Sequence, residues 1–264
     1  MSTPAGTVLE RIVAETRAEV ERRKRTAPLA DGPAADGAVD LGERRFLDAL
    51  RAGGIGVIAE FKRRSPSAGA LHEAPDLAEI VSAYQRGGAV SVSVLTEGPN
   101  FDGTLEDLRA AREACELPLL RKDFIVDRYQ LQEARAAGAD AVLLIVAALA
   151  EAELAALYNE ARAIGLDALV EIHDHRELQR ALDVGAEIIG INNRDLRDLS
   201  VDVERTARLM DAIPAGVVAV SESGISTPEQ LRRLEQHGVH AVLVGEALMR
   251  SADPAVALRT LRCF

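Results

Sequence analysis

Residues Pro118 to Leu149 read PLLRKDFIVDRYQLQEARAAGADAVLLIVAAL. The stretch opens on a short apolar run that ends in Lys122-Asp123-Phe124. It continues through a longer segment of helical period, pauses at Gly138 and enters a second apolar run at Ala141. Strand, helix, a glycine at the helix C′ position and a new strand make one βα unit leading into the next. The texture recurs along the chain: GVIAEFK starts at Gly56, AVSVSVLT at Ala89, ALVEIH at Ala168, IIGINN at Ile188, VVAVSES at Val217 and AVLVG at Ala241. With the two runs of the first stretch there are eight. They recur about every 26 residues, enough for one strand, one helix and two short loops. Gly165, Gly185 and Gly238 repeat the helix-ending position. Parallel strands buried on both faces need continuous apolar runs, and these are continuous. The pattern predicts an α/β fold, a (β/α)8 TIM barrel with an N-terminal helical extension. An open doubly wound sheet is the runner-up, but no GxGxxG turn follows the first strand; SPSAG stands there instead.

Length and composition agree. The chain has 264 residues, a size that barrels of this kind reach as one domain. We expect residues 1–264 to form one barrel domain, with 1–50 as a helical extension and loop, leaving no room for a second fused barrel. In the extension, Leu9, Ile12, Val13, Thr16 and Val20 fall on one face of a 3.6 period. The opposite face is charged and the end, Glu21 to Arg25, is basic, so this reads as a surface helix with a solvated face. Pro28 to Gly42 reads as a linker.

With 31 basic against 42 acidic residues the formal net charge is −11, which argues against a nucleic-acid partner. Aromatic residues are only 3%, too few for base-stacking platforms. The N-terminal residues carry no secretory apolar region, and the longest apolar run, Ala141 to Ala150, is too short to span a bilayer. Cys115 and Cys263 make no disulfide framework, and Cys115 reads as a structural thiol. A cytoplasmic protein with no membrane partner is expected.

Chemistry in such a barrel sits at the C-terminal ends of the strands. Here strand one ends Glu60-Phe61-Lys62, strand three ends at Lys122, strand five carries Glu171, strand six ends Asn192-Asn193-Arg194 and strand seven ends Ser221-Glu222-Ser223-Gly224. Side chains two apart share a face, so Glu60 aims with Lys62, Asn192 with Arg194 and Ser221 with Ser223. If those pairs face the mouth, acids and cations share one cavity and need a ligand or each other. Ser223-Gly224 after strand seven and Gly245-Glu246 after strand eight suit an anion held by backbone N–H groups. Lys62, Lys122 and Arg194 make that site locally positive. His173-Asp174-His175 is a weak metal signal with no third ligand spaced nearby, so no metal is expected. His72, His237 and His240 read as loop or surface residues.

At these residues the chain resembles the indole-3-glycerol phosphate synthase family. The resemblance runs through IAEFKRRSPSAG (from Ile58), SVLTEGPNFDGTLEDL (from Ser93), the Pro118–Leu149 stretch, VEIHDHREL (from Val170), GINNRDL (from Gly190), SESGIS (from Ser221) and VGEALM (from Val244). It covers nearly the whole chain in order. It implies ring closure of 1-(2-carboxyphenylamino)-1-deoxyribulose 5-phosphate, a phosphorylated small-molecule substrate, with loss of carbon dioxide and water and with no cofactor. It also implies roles. Lys122 is similar to the general acid that protonates the substrate ketone, and Glu171 to the acid–base group of dehydration. Glu60 and Asn192 would orient and polarise, and Lys62 would hold the anthranilate carboxylate or act in a later proton transfer. Ser65, Arg194 and Ser223 would position substrate, and Gly224, Gly245 and Glu246 would hold its phosphate. Phe124 is expected to pack on the substrate's aromatic ring, and Phe61, of opposite parity, against the helices. His175 departs from the acidic residues common at its position, and Phe61 and the Glu97–Gly103 loop lie where the family varies. A monomer is expected, with a weak homodimer as the alternative. Other phosphate-binding barrels, such as phosphoribosylanthranilate isomerase, differ in lacking the extension and the Lys/Glu set. A non-catalytic phosphosugar-binding barrel has no use for that set.

Overall fold

The computed structural model describes residues 7–28, 44–66, 69–71, 76–195 and 199–263. The expected linker from Pro28 to Gly42 lies almost wholly outside them, as does His72. Eight parallel strands close into a barrel. They are β1 (Gly56–Phe61), β2 (Ser91–Leu95), β3 (Leu119–Lys122), β4 (Ala141–Ile145), β5 (Asp167–Ile172), β6 (Ile188–Asn192), β7 (Val218–Glu222) and β8 (Ala241–Val244). Each pairs with its neighbours in sequence and β1 pairs with β8, so no sheet edge remains and the open-sheet alternative is excluded. A hairpin of two-residue strands, Arg64–Ser65 with Gly69–Ala70, follows β1.

Alternation along each strand divides the core in two. Outward residues such as Val57, Val92, Leu119, Val142 and Val170 pack with the helices. Phe61, 1% exposed, belongs to this layer as its parity required. Inward residues, among them Ile58, Leu120, Leu143, Leu169, Ile188, Val220 and Leu243, fill the barrel. Gly138, Gly165, Gly185 and Gly238 all sit at φ between +78° and +88°, the left-handed turn that ends each helix.

The extension contributes more than surface. Helix α1 (Val8–Thr26) starts at a Thr7/Glu10 capping box. Leu9 and Ile12 join the inner cluster, so the apolar stripe lies on the barrel mouth. The expectation of a solvated surface helix therefore holds only for its outer face: the stripe is buried because the open end of the barrel is itself apolar. The basic end is tethered to the βα side, Arg23 Nε to Glu133 Oε1 at 2.9 Å and Lys24 Nζ to Asp127 Oδ2 at 2.5 Å. Helix α2 (Arg45–Arg51) closes the other end with Phe46, Leu47 and Leu50. Its Leu47 N–H donates to Asp167 Oδ2 at 3.0 Å, and Arg44 pairs with the same carboxylate. The longest helix described has 19 residues and is strongly charged, and no helix among the described residues is long and apolar enough to cross a membrane.

Candidate active site

The inward positions turn polar where the strands end. Above Ile58 comes Glu60, then Lys62; above Leu120, Lys122; above Leu169, Glu171; above Ile188, Gly190 and then Asn192; above Val220, Glu222. These side chains line a cavity of about 420 Å3 at the mouth. Val8, Leu9 and Ile12 from α1, with Phe101, Phe124, Leu143 and Ile145, form its apolar side. Ser223 to Ser226, Gly245 to Ala247 and Arg250 belong to its rim. Each residue to which the resemblance gives a role borders this cavity: Glu60, Lys62, Ser65, Lys122, Phe124, Glu171, Asn192, Arg194, Ser223, Gly224, Gly245 and Glu246.

Lys122 is the centre of the charge network. Its Nζ lies 3.1 Å from Glu171 Oε2 and 3.2 Å from Glu222 Oε2. Lys62 Nζ pairs with Glu60 Oε1 at 2.7 Å. Burial alone would depress the Lys122 ammonium, but Glu222, Glu171 and Glu60 outweigh it and hold the group above the usual lysine range. The two carboxylates beside it part company. Burial drives Glu222 up, Lys122 only partly offsets this and Glu171 adds to it, leaving Glu222 at about 7. Burial acts on Glu171 too, yet Lys122, His173 and Asn192 together bring it below the ordinary range. The same ammonium thus goes with one carboxyl pulled down and its neighbour kept up by burial, a separation of the kind that acid–base sites use.

Sequence reasoning missed Glu222, and it misplaced Ser221. Ser221 faces the helix layer: its Oγ lies 2.7 Å from Thr206 Oγ1 and accepts from Asn193 Nδ2 at 3.2 Å. Ser223 still borders the cavity because its φ of +68° breaks the alternation after Glu222. The backbone signal for that break is Gly224, itself at φ +80°. Room for Glu222 comes from Gly190 on the adjacent strand. A Cβ there would sit 2.2 Å from Glu222 Oε1 and 3.2 Å from Leu169 Cδ1. Gly190→Ala is therefore expected to push the carboxylate off Lys122, lowering turnover and costing about 1–3 kcal/mol of stability. Kinetics and a thermal melt of that variant check both effects.

The remaining polar groups are held by their own partners. Asn192 Oδ1 accepts from the Arg194 N–H at 3.0 Å, and Arg194 Nη1 donates to the Leu199 carbonyl at 3.0 Å. Phe124, 8% exposed, stands 6.4 Å from the Phe101 ring, so two aromatic faces wall the apolar side. Glu97 fixes Phe101 by accepting its N–H at 3.0 Å. His173 and His175 do not share a site: His173 lies against Glu171 and Glu177, whereas His175 begins the following helix. Gly245 allows close approach over Glu60 and Lys62, since a Cβ there would lie 2.5 Å from Glu60 Oε1 and 3.1 Å from Lys62 Nζ. Among the described residues, the buried atoms Glu171 Oε1, His173 Nε2 and Glu222 Oε1 have no hydrogen-bond partner. Such unmet polar capacity in a cavity is poised for a ligand or a proton.

Comparison with known proteins agrees. Residues 9–261 match the family model described as indole-3-glycerol phosphate synthase. The chain is 52% identical over 261 residues to indole-3-glycerol phosphate synthase 2 of Streptomyces coelicolor, covering 96% of this chain and 98% of that protein. It is 50% identical over 254 residues to the indole-3-glycerol phosphate synthase of a Nocardioides species, covering 96% and 97%. Among solved structures, thiamine phosphate pyrophosphorylase from Pyrococcus furiosus superposes with a TM-score of 0.60 at 17% identity, over 82% of this chain and 96% of that one. That likeness speaks to the barrel fold alone.

Proposed function

From the premise that this chain belongs to the indole-3-glycerol phosphate synthase family, we propose how its residues divide the family's reaction. The protein is a carboxy-lyase of tryptophan biosynthesis. It converts 1-(2-carboxyphenylamino)-1-deoxyribulose 5-phosphate to indole-3-glycerol phosphate, carbon dioxide and water.

The substrate has an aromatic end, a phosphate end and a ketone between them, and the cavity has a match for each. Phe101, Phe124, Ile12 and Leu143 receive the anthranilate ring. The turns at Gly224 and Gly245-Glu246 present backbone N–H groups to the phosphate, with Arg250 at the rim. Lys122 reaches the centre, where the ketone lies. As the ring carbon bearing the carboxylate attacks the ketone carbon, the ammonium of Lys122 gives a proton to the ketone oxygen. The C–C bond to the carboxylate then breaks, its electron pair restores aromaticity, and carbon dioxide leaves. Lys62, tied to Glu60, supplies the cation that holds the carboxylate until that step. Dehydration follows. The ionised Glu171 removes a proton from the adjacent carbon and delivers it to the departing hydroxyl, so that the C–O bond breaks as the C=C bond forms and water leaves. Asn192 favours the ionised form of Glu171, and Glu222 keeps Lys122 charged. Ser65, Arg194 and Ser223 position the chain of the sugar.

The observation that carries this reading is one ammonium held within 3.2 Å of two carboxyls. It stands between an aromatic wall and two glycine turns. The protein is expected to turn the carboxyphenylamino substrate into a fluorescent indole with one carbon dioxide released per indole. Failure to form indole from that substrate would refute the assignment.

We propose further that the chain works as one unit, with α1 part of the site, and as a monomer in the cytoplasm. Among the described residues the large exposed apolar side chains are Val201, Val203 and Val256, fewer than an obligate interface uses. Both cysteines are unpaired, in keeping with a reducing compartment.

A further inference from the structure

The reaction leaves a proton to be found. The substrate's carboxylate enters ionised and leaves as neutral carbon dioxide. Two protons go to oxygen, one at ring closure and one when water departs, and only one returns from carbon. Each turnover therefore draws one proton from solvent into a cavity whose mouth α1 covers.

His173 stands where such a proton could pass. It follows β5, two residues beyond Glu171, and is not among the residues that line the cavity. Nε2 is 3.7 Å from Glu171 Oε1, and these two atoms are among the buried atoms without a hydrogen-bond partner. On the other side, Nδ1 lies 3.1 Å from Glu177 Oε2, and the His173 N–H donates to the same oxygen at 2.7 Å. The side chains of Glu171, His173 and Glu177 are 1%, 11% and 18% exposed, so the row climbs from the cavity toward water. Glu171 in turn touches Lys122, the group that loses its proton at ring closure.

We propose that His173 and Glu177 form the proton-uptake route of this enzyme, handing one solvent proton per turnover to Glu171 and through it to Lys122. The proposal rests on Glu171 as the acid–base group. In the transfer, Glu177 gives its carboxyl proton to Nδ1 while the Nε2–H bond breaks and an O–H bond forms on Glu171 Oε1. The electron pairs stay on the atoms that lose the protons, water recharges Glu177, and the ring resets by turning about Cβ–Cγ. The 3.7 Å separation is under an ångström from hydrogen-bond range, a small side-chain adjustment. The charged groups that bear on the ring are Glu177, Glu171 and Arg205. Burial disfavours the imidazolium and Arg205 adds to that, but the two carboxylates outweigh both and raise the His173 pKa above its usual value.

The test compares two variants in the full-length enzyme. His173→Gln keeps an amide that can bond both carboxylates but carries no proton between them. It is expected to lose turnover on the order of a hundredfold with KM little changed, and to show a larger solvent deuterium isotope effect. His173→Ala leaves a gap, and added imidazole is expected to restore turnover in a concentration-dependent way. Thermal melts accompany both, so that a folding defect is seen as such. Wild-type turnover in His173→Gln would overturn the route, because a bonding role alone would then suffice. A folded His173→Ala enzyme that imidazole does not rescue would overturn it as well. Glu171→Gln is run beside them: full activity there would mean that the acid–base reading of Glu171 has failed, which is a different result from an inert His173.

Discussion

Lys122→Ala is expected to abolish ring closure, with turnover falling by about 10³-fold or more, while the barrel stays folded. The size follows from what is lost together: the proton for the ketone and the positive charge beside the oxygen that becomes an alkoxide. Among the described residues the other cations that line the cavity have partners of their own, Arg250 pairing with Glu246 at the rim. Lys62 is engaged with Glu60, and Arg194 with the carbonyl of Leu199. Persistence of the fold follows from the carboxyls around the gap. Removing one partner of a buried ion pair is costly when the other must stay charged. Here burial already raises Glu222 to about 7 with Lys122 present, so without the ammonium it takes the neutral form and one charge fewer is left in the gap. Circular dichroism and a thermal melt check the fold, and indole fluorescence checks turnover.

Glu171→Gln is expected to have the second largest effect, a loss of about 10²- to 10³-fold in turnover with a modest change in substrate binding. The amide keeps the shape of the carboxylate and a contact to Lys122, so the substrate's aromatic and phosphate ends meet the same walls. It can neither accept the carbon proton nor protonate the departing hydroxyl. The position is already specialised. Although 1% exposed, Glu171 is brought below the ordinary carboxylate range by Lys122, His173 and Asn192 against the effect of burial. A base held ionised in so dry a place has lost the hydration that would otherwise blunt it. Steady-state kinetics separating kcat from KM test this.

Much of this candidate site is legible in the sequence alone. Eight apolar runs at a regular spacing gave the barrel, and period-two alternation put Glu60 with Lys62 on the inner face and Phe61 on the outer. That logic works because a side chain on a closed sheet has only two directions to take. Its failures are equally physical. At the end of β7, alternation says that Glu222 and Ser221 face opposite ways, but not which way is in. That is settled by register, with Asn192 on β6 beside Glu222. The void that admits Glu222 is contributed by Gly190, 32 residues away in sequence, and such a complementarity is invisible along one strand. Ser223 reached the cavity by a left-handed backbone, a break that the Ser-Gly pair hints at but does not demand. For α1, the period was read correctly and the surface it covers was not. An amphipathic helix shows which face is apolar, whereas only the assembled barrel shows that its open mouth needs a cover. In the sequence His173 reads only as a weak metal signal, because its partners Glu171 and Glu177 matter through geometry across a strand-to-helix turn.

The central claim is that Lys122 drives ring closure and Glu171 drives dehydration, from one cavity. The most direct test follows carbon dioxide and indole together in a single turnover of Glu171→Gln. Carbon dioxide is expected to appear well ahead of indole, because closure and decarboxylation proceed while dehydration waits, whereas Lys122→Ala releases neither. Carbon dioxide and indole slowed by the same factor in Glu171→Gln, or both formed at wild-type rates, would contradict it.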